Sequence, residues 1–341
     1  MDKIDKKILN ILSQNCRIPD NEIGKLVNLS KDTIKYRIQN LKNQKIYVNP
    51  VLYIDSRVLG YINYQILIQL KTNIKNKQEI FDRIKKHDKI LRANTFIGKY
   101  ELQLMVQIKS PHELNKIKAE LFELCEHQVQ NYTTLTRLYE LESNTINPDI
   151  DTEVHIEKKS NYSFSKELSS KSYPNPEQYK EYKISRTEIE ILNVLSDNPQ
   201  ESLVTISEKI NVNRKTVKDK ILNLIENKVI THFGINIDTT KIGYTAYTLM
   251  IKLNTQTPDK VLEKPFQELN NIFYAARFDG EYDLLIYLNA KSPEELNDTI
   301  EEFKNQIGEY ILSTELSIMN KVVSWKLFTK GLYKELLESV K

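Results

Sequence analysis

An internal repeat constrains the fold of this chain of 341 residues more than any other feature. The segment ILNILSQN at residues 8–15 returns as ILNVLSDN at residues 191–198. The segment SKDTIKYRIQNL at residues 30–41 returns as NRKTVKDKILNL at residues 213–224. Both pairs are separated by the same 183 positions. A single offset across such distant segments predicts one structural unit that is encoded twice.

Each copy opens with three short helical patterns. Ser30 and Asn213 are good N-caps for the third helix, because their side-chain oxygens can accept from its first free amides. Apolar residues then recur at helical spacing, as Ile34, Ile38 and Leu41 in the first copy and Val217, Ile221 and Leu224 in the second. Three tightly joined helices predict a helix-turn-helix core, and the β-rich residues 46–54 and 229–237 predict a two-stranded wing on each core.

The third helix of such a core lies in the DNA major groove, and here its face opposite the apolar stripe is basic. A single segment of this kind is more often a solvated amphipathic helix without a binding role, but the recurrence of the pattern in both copies favours DNA binding. Base edges would be contacted by Lys31, Lys35, Tyr36 and Gln39. The full set of predicted DNA-binding residues is Ser30, Lys31, Thr33, Lys35, Tyr36, Arg37 and Gln39 in the first copy, with Arg214, Lys215, Lys218 and Lys220 in the second.

The two third helices differ in sequence. Superposing the copies places Asp219 on Tyr36, Leu222 on Gln39 and Ile225 on Lys42. The second helix is therefore predicted to expose apolar surface suited to a protein partner, unless Leu222 and Ile225 pack on the wing. The charge of the two helical units is unequal as well. Residues 1–50 carry ten basic and five acidic side chains, whereas residues 183–235 carry eight basic and seven acidic ones. Double-stranded DNA is expected to prefer the first half.

The remainder of each copy reads strand, helix, strand, strand, helix, strand, which predicts a ferredoxin-like sheet with both helices on one face. The fold class is therefore α+β, with two winged helix-turn-helix and two ferredoxin-like domains in tandem. The second face of each sheet is partly apolar, so the two sheets are predicted to pack face to face, within one chain or between chains. The predicted boundaries are 1–59, 60–141, a linker at 142–182, 183–242, 243–327 and a helical tail at 328–341.

Several motifs carry a family resemblance. IDKKILNIL at residues 4–12 is similar to the opening IDxxILxxL of the Lrp/AsnC (feast/famine) transcription regulators, and LSKDTIKYRIQNL at residues 29–41 is close to their LSxxTVxxRIxxL. Arg17 with Glu22 and Ile23 resembles their RxSxxELA, with Gly24 where Ala is usual. The second copy departs from the pattern at Gln200, Asn213 and Lys220. The resemblance covers nearly the whole chain twice and implies a sequence-specific DNA-binding regulator that responds to an amino acid or another small effector.

Two turns in the sheet domains resemble the GxYD turn, which in that family borders the effector site at subunit contacts. The residues of this predicted effector site are Gly98, Tyr100 and Glu101 in the first copy, and Gly280, Tyr282 and Asp283 in the second. In the functional interpretation, Glu101 or Asp283 would face the amino group of an amino-acid ligand. In the structural interpretation, the glycine supplies a positive φ and the tyrosine packs inside a strand.

An enzyme is the main alternative, because siroheme decarboxylases resemble the same two-domain unit and work as paired subunits. They look like His- and Arg-rich versions of the GxYD region, whereas FIGKY and FDGEY contain no histidine, and the five histidines of the chain form no acid–base pair. A third alternative is a sensor or scaffold that has lost DNA binding. No catalytic residue, metal or cofactor is predicted.

The rest of the composition excludes other classes of protein. Cys16 and Cys125 lie far apart without metal-ligand spacing, so both are expected to be packing residues. No apolar run approaches the ~20 residues of a membrane span, and MDKIDKK lacks the apolar core of a signal peptide. The protein is expected in the cytoplasm without a membrane partner.

Overall fold

The computed structural model describes residues 1–72, 74, 76–143, 181–254, 257–269 and 271–340. The sequence of the linker at residues 142–182 predicts one helical turn at most, and most of this linker lies outside the described residues, as does His155. The strand that precedes it continues to Ser143, two residues beyond the predicted end of the sheet domain.

The first copy consists of three helices, a strand and a 3₁₀ turn, followed by a βαββαβ unit. Its elements are α1 (Lys3–Gln14), α2 (Asp20–Val27), α3 (Lys31–Asn43), β1 (Tyr47–Ile54), the turn Ser56–Leu59, β2 (Ile62–Leu70), α4 (Lys77–Lys86), β3 (Ile90–Ile97), β4 (Leu102–Ile108), α5 (Pro111–Leu124) and β5 (Val129–Ser143).

The second copy repeats this order and adds a C-terminal helix. Its elements are α6 (Arg186–Asp197), α7 (Leu203–Ile210), α8 (Arg214–Glu226), β6 (Ile230–Ile237), the 3₁₀ turn Thr239–Ile242, β7 (Thr245–Leu253), α9 (Asp259–Glu268), β8 (Ile272–Asp279), β9 (Leu284–Ala290), α10 (Pro293–Ile307), a 3₁₀ turn at Gly308–Tyr310, β10 (Ile311–Trp325) and α11 (Lys330–Ser339). The connection between β7 and α9 is one residue shorter than that between β2 and α4, so the offset between the copies is 182 from there on.

Local sequence accounts for the helix ends. Asp2 and Asp5 form a capping box at the start of α1, and Ser185 with Glu188 does the same for α6. The helices α2 and α7 end at Asn28 and Asn211, which both adopt the left-handed conformation that asparagine tolerates. The sharp turn into each recognition helix is therefore encoded in the same way in both copies.

The predicted two-stranded wings are wrong in one respect. Each copy contributes a single strand, and β1 pairs with β6 in an antiparallel two-stranded ribbon, from Tyr47 opposite Ile237 to Ile54 opposite Ile230. The backbone N–H and C=O groups along each strand therefore pair with the strand of the other copy rather than with a second strand of the same domain. The sequence pattern showed the two strands but could not show which partner each would choose.

The remaining eight strands form one closed antiparallel barrel in the order β10-β3-β4-β2-β5-β8-β9-β7. Within each copy the order is that of a ferredoxin-like sheet, as predicted. The copies join where β5 pairs with β8 and β10 pairs with β3. The two sheets therefore associate inside one chain, but through their edges, instead of only packing face to face.

The buried hydrophobic side chains of the described residues fill four clusters. One is shared by all six helices of the two helix-turn-helix units, the ribbon and the tail, where Leu332 and Leu336 are buried. Two more lie between each ferredoxin-like sheet and its own helices. The fourth fills the barrel interior with side chains of both copies, among them Leu67, Phe96, Phe278 and Tyr287.

The two cysteines are buried, as expected for packing residues, and burial raises the pKa of the Cys16 thiol to about 12 and that of Cys125 to about 11. Among the described residues, no helix has both the length and the apolar character that crossing a membrane requires.

Candidate nucleic-acid interface and sensor turns

The recognition helix α3 is held by one cap and one apolar face. Ser30 Oγ accepts from the backbone N–H of Thr33 at 3.2 Å, while Ile34 and Leu41 are at most 1% exposed. The opposite face carries Lys31, Lys35 and Tyr36, of which Tyr36 is 67% exposed. The ring of Tyr36 is mostly open to solvent and contributes little to the core, so the exposed face of α3 can accommodate a partner.

The equivalent helix α8 is built on the same plan. Asn213 Oδ1 accepts from the N–H of Thr216 at 2.8 Å, and Val217, Ile221 and Leu224 are fully buried. Arg214, Lys215 and Lys218 are exposed, so three cations remain on this face.

Two of the predicted DNA-binding cations form ion pairs within the protein. Arg37 Nη1 pairs with Asp2 and Asp5 at 2.7 and 2.8 Å, which raises the pKa of its guanidinium. Lys220, at the equivalent position, lies 3.4 Å from Glu188 and 3.3 Å from the hydroxyl of Ser185. Each side chain thus ties the third helix to the N-terminus of the first, a role that the motif alone did not indicate.

The expectation of an exposed apolar face on α8 is corrected by the structure. Ile225 is only 2% exposed, and Leu222 is half-buried against the core shared by the helical units. Both side chains turn inward, where the ribbon strand β6 meets α8. The apolar surface of α8 therefore packs mostly on the shared core, which contains residues of the ribbon, and this agrees with the alternative that these side chains pack on the wing.

The loops between the first two helices of each copy contact one another across the molecule. The guanidinium of half-buried Arg17 donates to the carbonyls of Pro199 and Glu201, the latter at 2.8 Å, and lies 5.3 Å from the centre of the Phe233 ring. Gln200, the equivalent of Arg17, donates to the carbonyl of Cys16. Sequence analysis missed this contact, although the exchange of Arg for Gln at equivalent positions was a signal of unequal roles.

The two GxYD-like turns also meet. Tyr100 and Tyr282 are 3% and 5% exposed, and their rings contact edge to face with centres 6.5 Å apart. Lys99 and Glu281, the variable residues of the two turns, form an ion pair at 2.9 Å.

The acidic residues that end the turns bind backbone. Glu101 Oε2 accepts from the N–H of Leu70 at 2.9 Å, and Asp283 Oδ2 accepts from that of Leu253 at 2.8 Å. Gly280 has a φ of 146°, and a Cβ on Gly98 would clash with the side chain of Ser317. The structure thus gives every residue of the predicted effector site a structural contact, and ligand contact there stays a prediction.

A cavity of about 770 Å³ lies between the ribbon and the open end of the barrel. We call it the central cavity, because both copies contribute to it: Asp55 and its equivalent Asp238 line it, as do Gln107 and its equivalent Asn289. The barrel end with the GxYD-like turns is instead filled by the interior cluster that contains Tyr100 and Tyr282.

Comparisons with known proteins agree with this architecture. The AsnC-type helix-turn-helix domain matches residues 1–42, and a winged helix-turn-helix DNA-binding family matches residues 184–231. The HTH-type transcriptional regulator FL11 of Pyrococcus horikoshii is 30% identical over 115 residues, which cover 34% of this chain and 76% of that protein. The chain belongs to the Lrp/AsnC family.

Other relatives place the Lrp/AsnC unit within the longer chain. The regulatory protein AsnC of Haemophilus influenzae is 26% identical over 135 residues, which cover 40% of this chain and 89% of that protein. Across nearly its whole length the chain resembles the siroheme decarboxylase NirDL, solved in complex with an iron-uroporphyrin III analogue, with a TM-score of 0.60, 14% identity and coverage of 99% and 100%. At this identity the likeness shows a shared fold.

Proposed function

We propose that this Lrp/AsnC-family protein is a sequence-specific DNA-binding transcription regulator, with α3 as its main reading helix. The observation that carries the proposal is the orientation of α3. Its cap and buried face hold the helix, while Lys31, Lys35 and Tyr36 remain exposed on one side. A helix presented in this way fits the width of the major groove.

The exposed side chains divide into two roles. Gln39 is exposed, its amide bonds the Asn43 side chain at 3.0 Å, and a glutamine amide can read adenine through two hydrogen bonds. Lys31 and Lys35 supply charge for phosphates or guanine edges, and Ser30 and Thr33 lie at the helix N-terminus, which favours phosphate. Arg37 and Lys220 are left out of the proposed interface because their charges are already paired.

Selection of bound sites from random DNA tests the proposal. We expect enrichment of one sequence, and we expect Gln39→Ala to relax preference at one base pair by about 1–3 kcal/mol. Lys116→Ala, an exposed lysine on α5 in the sheet domain, serves as the matched control and should leave the selected sequence unchanged. A pool without an enriched sequence, or one that Gln39→Ala and Lys116→Ala alter equally, would contradict the proposal.

A second candidate function, a siroheme decarboxylase, is favoured by the whole-chain likeness to NirDL. Against it, no described residue that lines the central cavity is a histidine. Incubation with siroheme, followed by absorbance spectroscopy and mass spectrometry, separates the two candidates. Loss of carbon dioxide from the tetrapyrrole would establish the enzyme, whereas an unchanged tetrapyrrole mass favours the regulator.

The proposal includes response to an amino acid that binds at the paired GxYD-like turns. The amino group of the ligand would compete with the backbone N–H of Leu70 for Glu101, or with that of Leu253 for Asp283. A response to the ligand therefore requires local rearrangement of the turn. A ligand that binds only the folded protein raises the melting temperature. Thermal-shift measurements with the common amino acids at millimolar concentration test this, and a melting temperature that none of them changes counts against this site.

A further inference from the structure

The central cavity has the size and the walls of a binding site for an organic ligand. Its volume of about 770 Å³ lies within the range of roughly 300–1,000 Å³ that small-molecule sites occupy. One wall is the β1–β6 ribbon, and the others are the first residues of β2, β3, β7 and β8 with the later parts of β4, β5, β9 and β10. Hydrophobic packing elsewhere in the barrel is continuous, so this volume is not a general looseness of the core.

Flat rings line part of the cavity. Tyr53 from the ribbon contacts Trp325 from β10 edge to face, with ring centres 6.5 Å apart. Phe273 and Tyr274 approach from β8. The guanidinium of Arg92 lies 4.9 Å from the Trp325 ring centre and 4.7 Å from that of Tyr287. A planar arginine stacked among rings matches a ligand that is itself flat.

The charge of the lining favours an anion. Six basic and three acidic side chains are among the described lining residues. Two acids are already neutralised, because Asp55 pairs with Arg57 at 2.8 Å and Glu140 pairs with Arg137. Four further cations line the cavity, and no described carboxylate lies within ion-pair distance of them: Lys85, Arg92, Lys321 and Lys326. Excess charge at the rim of a concave site concentrates ligands of opposite sign.

Buried polar atoms in the cavity wall lack partners. Asn63 Oδ1, Gln107 Oε1 and Asn289 Oδ1 belong to side chains at most 6% exposed, and none accepts a hydrogen bond from the described residues. The Nε–H of Arg137 is likewise buried and has no acceptor among the described residues. Buried polar atoms in native proteins are nearly always hydrogen-bonded, so their concentration here indicates groups that a bound molecule satisfies.

We propose that the central cavity binds an organic anion built on a flat ring system, of the class of aromatic carboxylates and sulfonates. The anionic group pairs with Arg92, the ring lies against Tyr53, Tyr274 and Trp325, and polar substituents meet the buried amides. The site is distinct from the GxYD-like turns, and its occupancy does not depend on DNA binding.

Fluorescence titration of the full chain with anilinonaphthalene sulfonate tests the proposal. Its neutral relative, phenylnaphthylamine, keeps the rings and removes the sulfonate. We expect saturable binding of the anionic probe at one site per chain, and binding of the neutral probe that is weaker by about tenfold, as for a lost charged hydrogen bond.

Two variants locate the probe. Ala246→Trp adds bulk to the cavity wall and should abolish binding, whereas Ala119→Trp, at an exposed position of α5, should not change it. Arg92→Gln should weaken the anionic probe by about tenfold and leave the neutral probe unaffected. Circular dichroism melting checks that each variant is folded.

Equal affinity for the two probes, or unchanged affinity in a folded Ala246→Trp variant, would overturn the proposal. If Ala246→Trp does not fold, Arg92→Gln with the two probes still decides, because a site without anion selectivity would show no difference between them.

Discussion

Lys99 and Glu281 occupy equivalent positions in the two copies, 182 residues apart, and form an ion pair with 2.9 Å between Nζ and Oε1. The other oxygen of Glu281 accepts from the hydroxyl of Tyr100 at 2.8 Å. In a dimer of identical chains these two positions would carry the same charge and repel. Opposite charges at equivalent positions require two copies that differ in sequence, as the two halves of this chain do.

Reversing one charge of this pair should destabilise the protein. Lys99→Glu places two carboxylates together, and we expect a loss of about 1 kcal/mol in the free energy of unfolding, since both side chains are more than a third exposed and solvent screens them. The double reversal Lys99→Glu with Glu281→Lys should restore most of the loss. Urea denaturation measures all three variants, and a double variant no more stable than the single one would contradict the pairing.

The contribution of Glu281 should depend on pH in a defined direction. Burial favours its neutral form, but the hydrogen bonds from Lys99 and Tyr100 outweigh burial and lower the pKa of this carboxyl. A lowered folded-state pKa stabilises the protein above the unfolded value of about 4.3, and this stabilisation is lost as the pH falls through the folded-state pKa. The unfolding free energies of the parent and Glu281→Gln should therefore differ at pH 7 and converge in acid. A difference that stays constant down to pH 3 would exclude this origin.

The two reading helices should contribute unequally to DNA binding. Lys35→Ala should weaken binding and reduce the salt slope by about one unit for each lost phosphate contact, whereas Lys218→Ala should do much less. The physical reason is the charge of the surrounding unit and the replacement of Tyr36 by Asp219, which repels phosphate. Both affinities are measured on one selected operator across a salt series. Equal losses from the two substitutions would refute the asymmetry.

Arg37→Ala should affect stability more than DNA binding. The side chain joins α3 to Asp2 and Asp5, so we expect a loss of about 1 kcal/mol in unfolding free energy and a salt slope that changes by much less than one unit. Denaturation and a salt series on the same variant give both values. A slope that falls as far as that of Lys35→Ala would return Arg37 to the interface.

Equivalent positions on α3 and α8 should tolerate truncation differently. Ile225→Ala should cost about 2–4 kcal/mol, because the side chain is buried in the shared core. At the equivalent position, Lys42 is exposed and its ammonium lies 5.0 Å from the centre of the Tyr47 ring, so Lys42→Ala should cost no more than about 1 kcal/mol. Urea denaturation of both variants checks this, and similar costs would argue against the inward orientation of Ile225.

Much of the fold could be predicted because periodicity and capping are local properties. Ser30 and Asn213 are the N-caps of α3 and α8, as the sequence predicts, and the apolar stripe of each helix packs in the shared core. Local sequence patterns could not predict the contacts between the two copies. The pattern of β1 shows a strand but does not show that β6 is its partner, and the basic side chain of Arg37 looks the same in sequence whether it faces phosphate or Asp5. The partner of an edge strand or of a surface charge is decided by tertiary packing.

The ribbon of β1 and β6 has a mechanical consequence for any DNA that this protein reads. Because backbone hydrogen bonds join the two strands that follow α3 and α8, the two reading helices are carried on one rigid frame rather than on independently tethered heads. An operator that engages both must present its half-sites at one fixed rotation about the duplex axis. Half a helical turn, about five inserted base pairs, would move one half-site to the far side of the DNA, beyond the reach of the second helix.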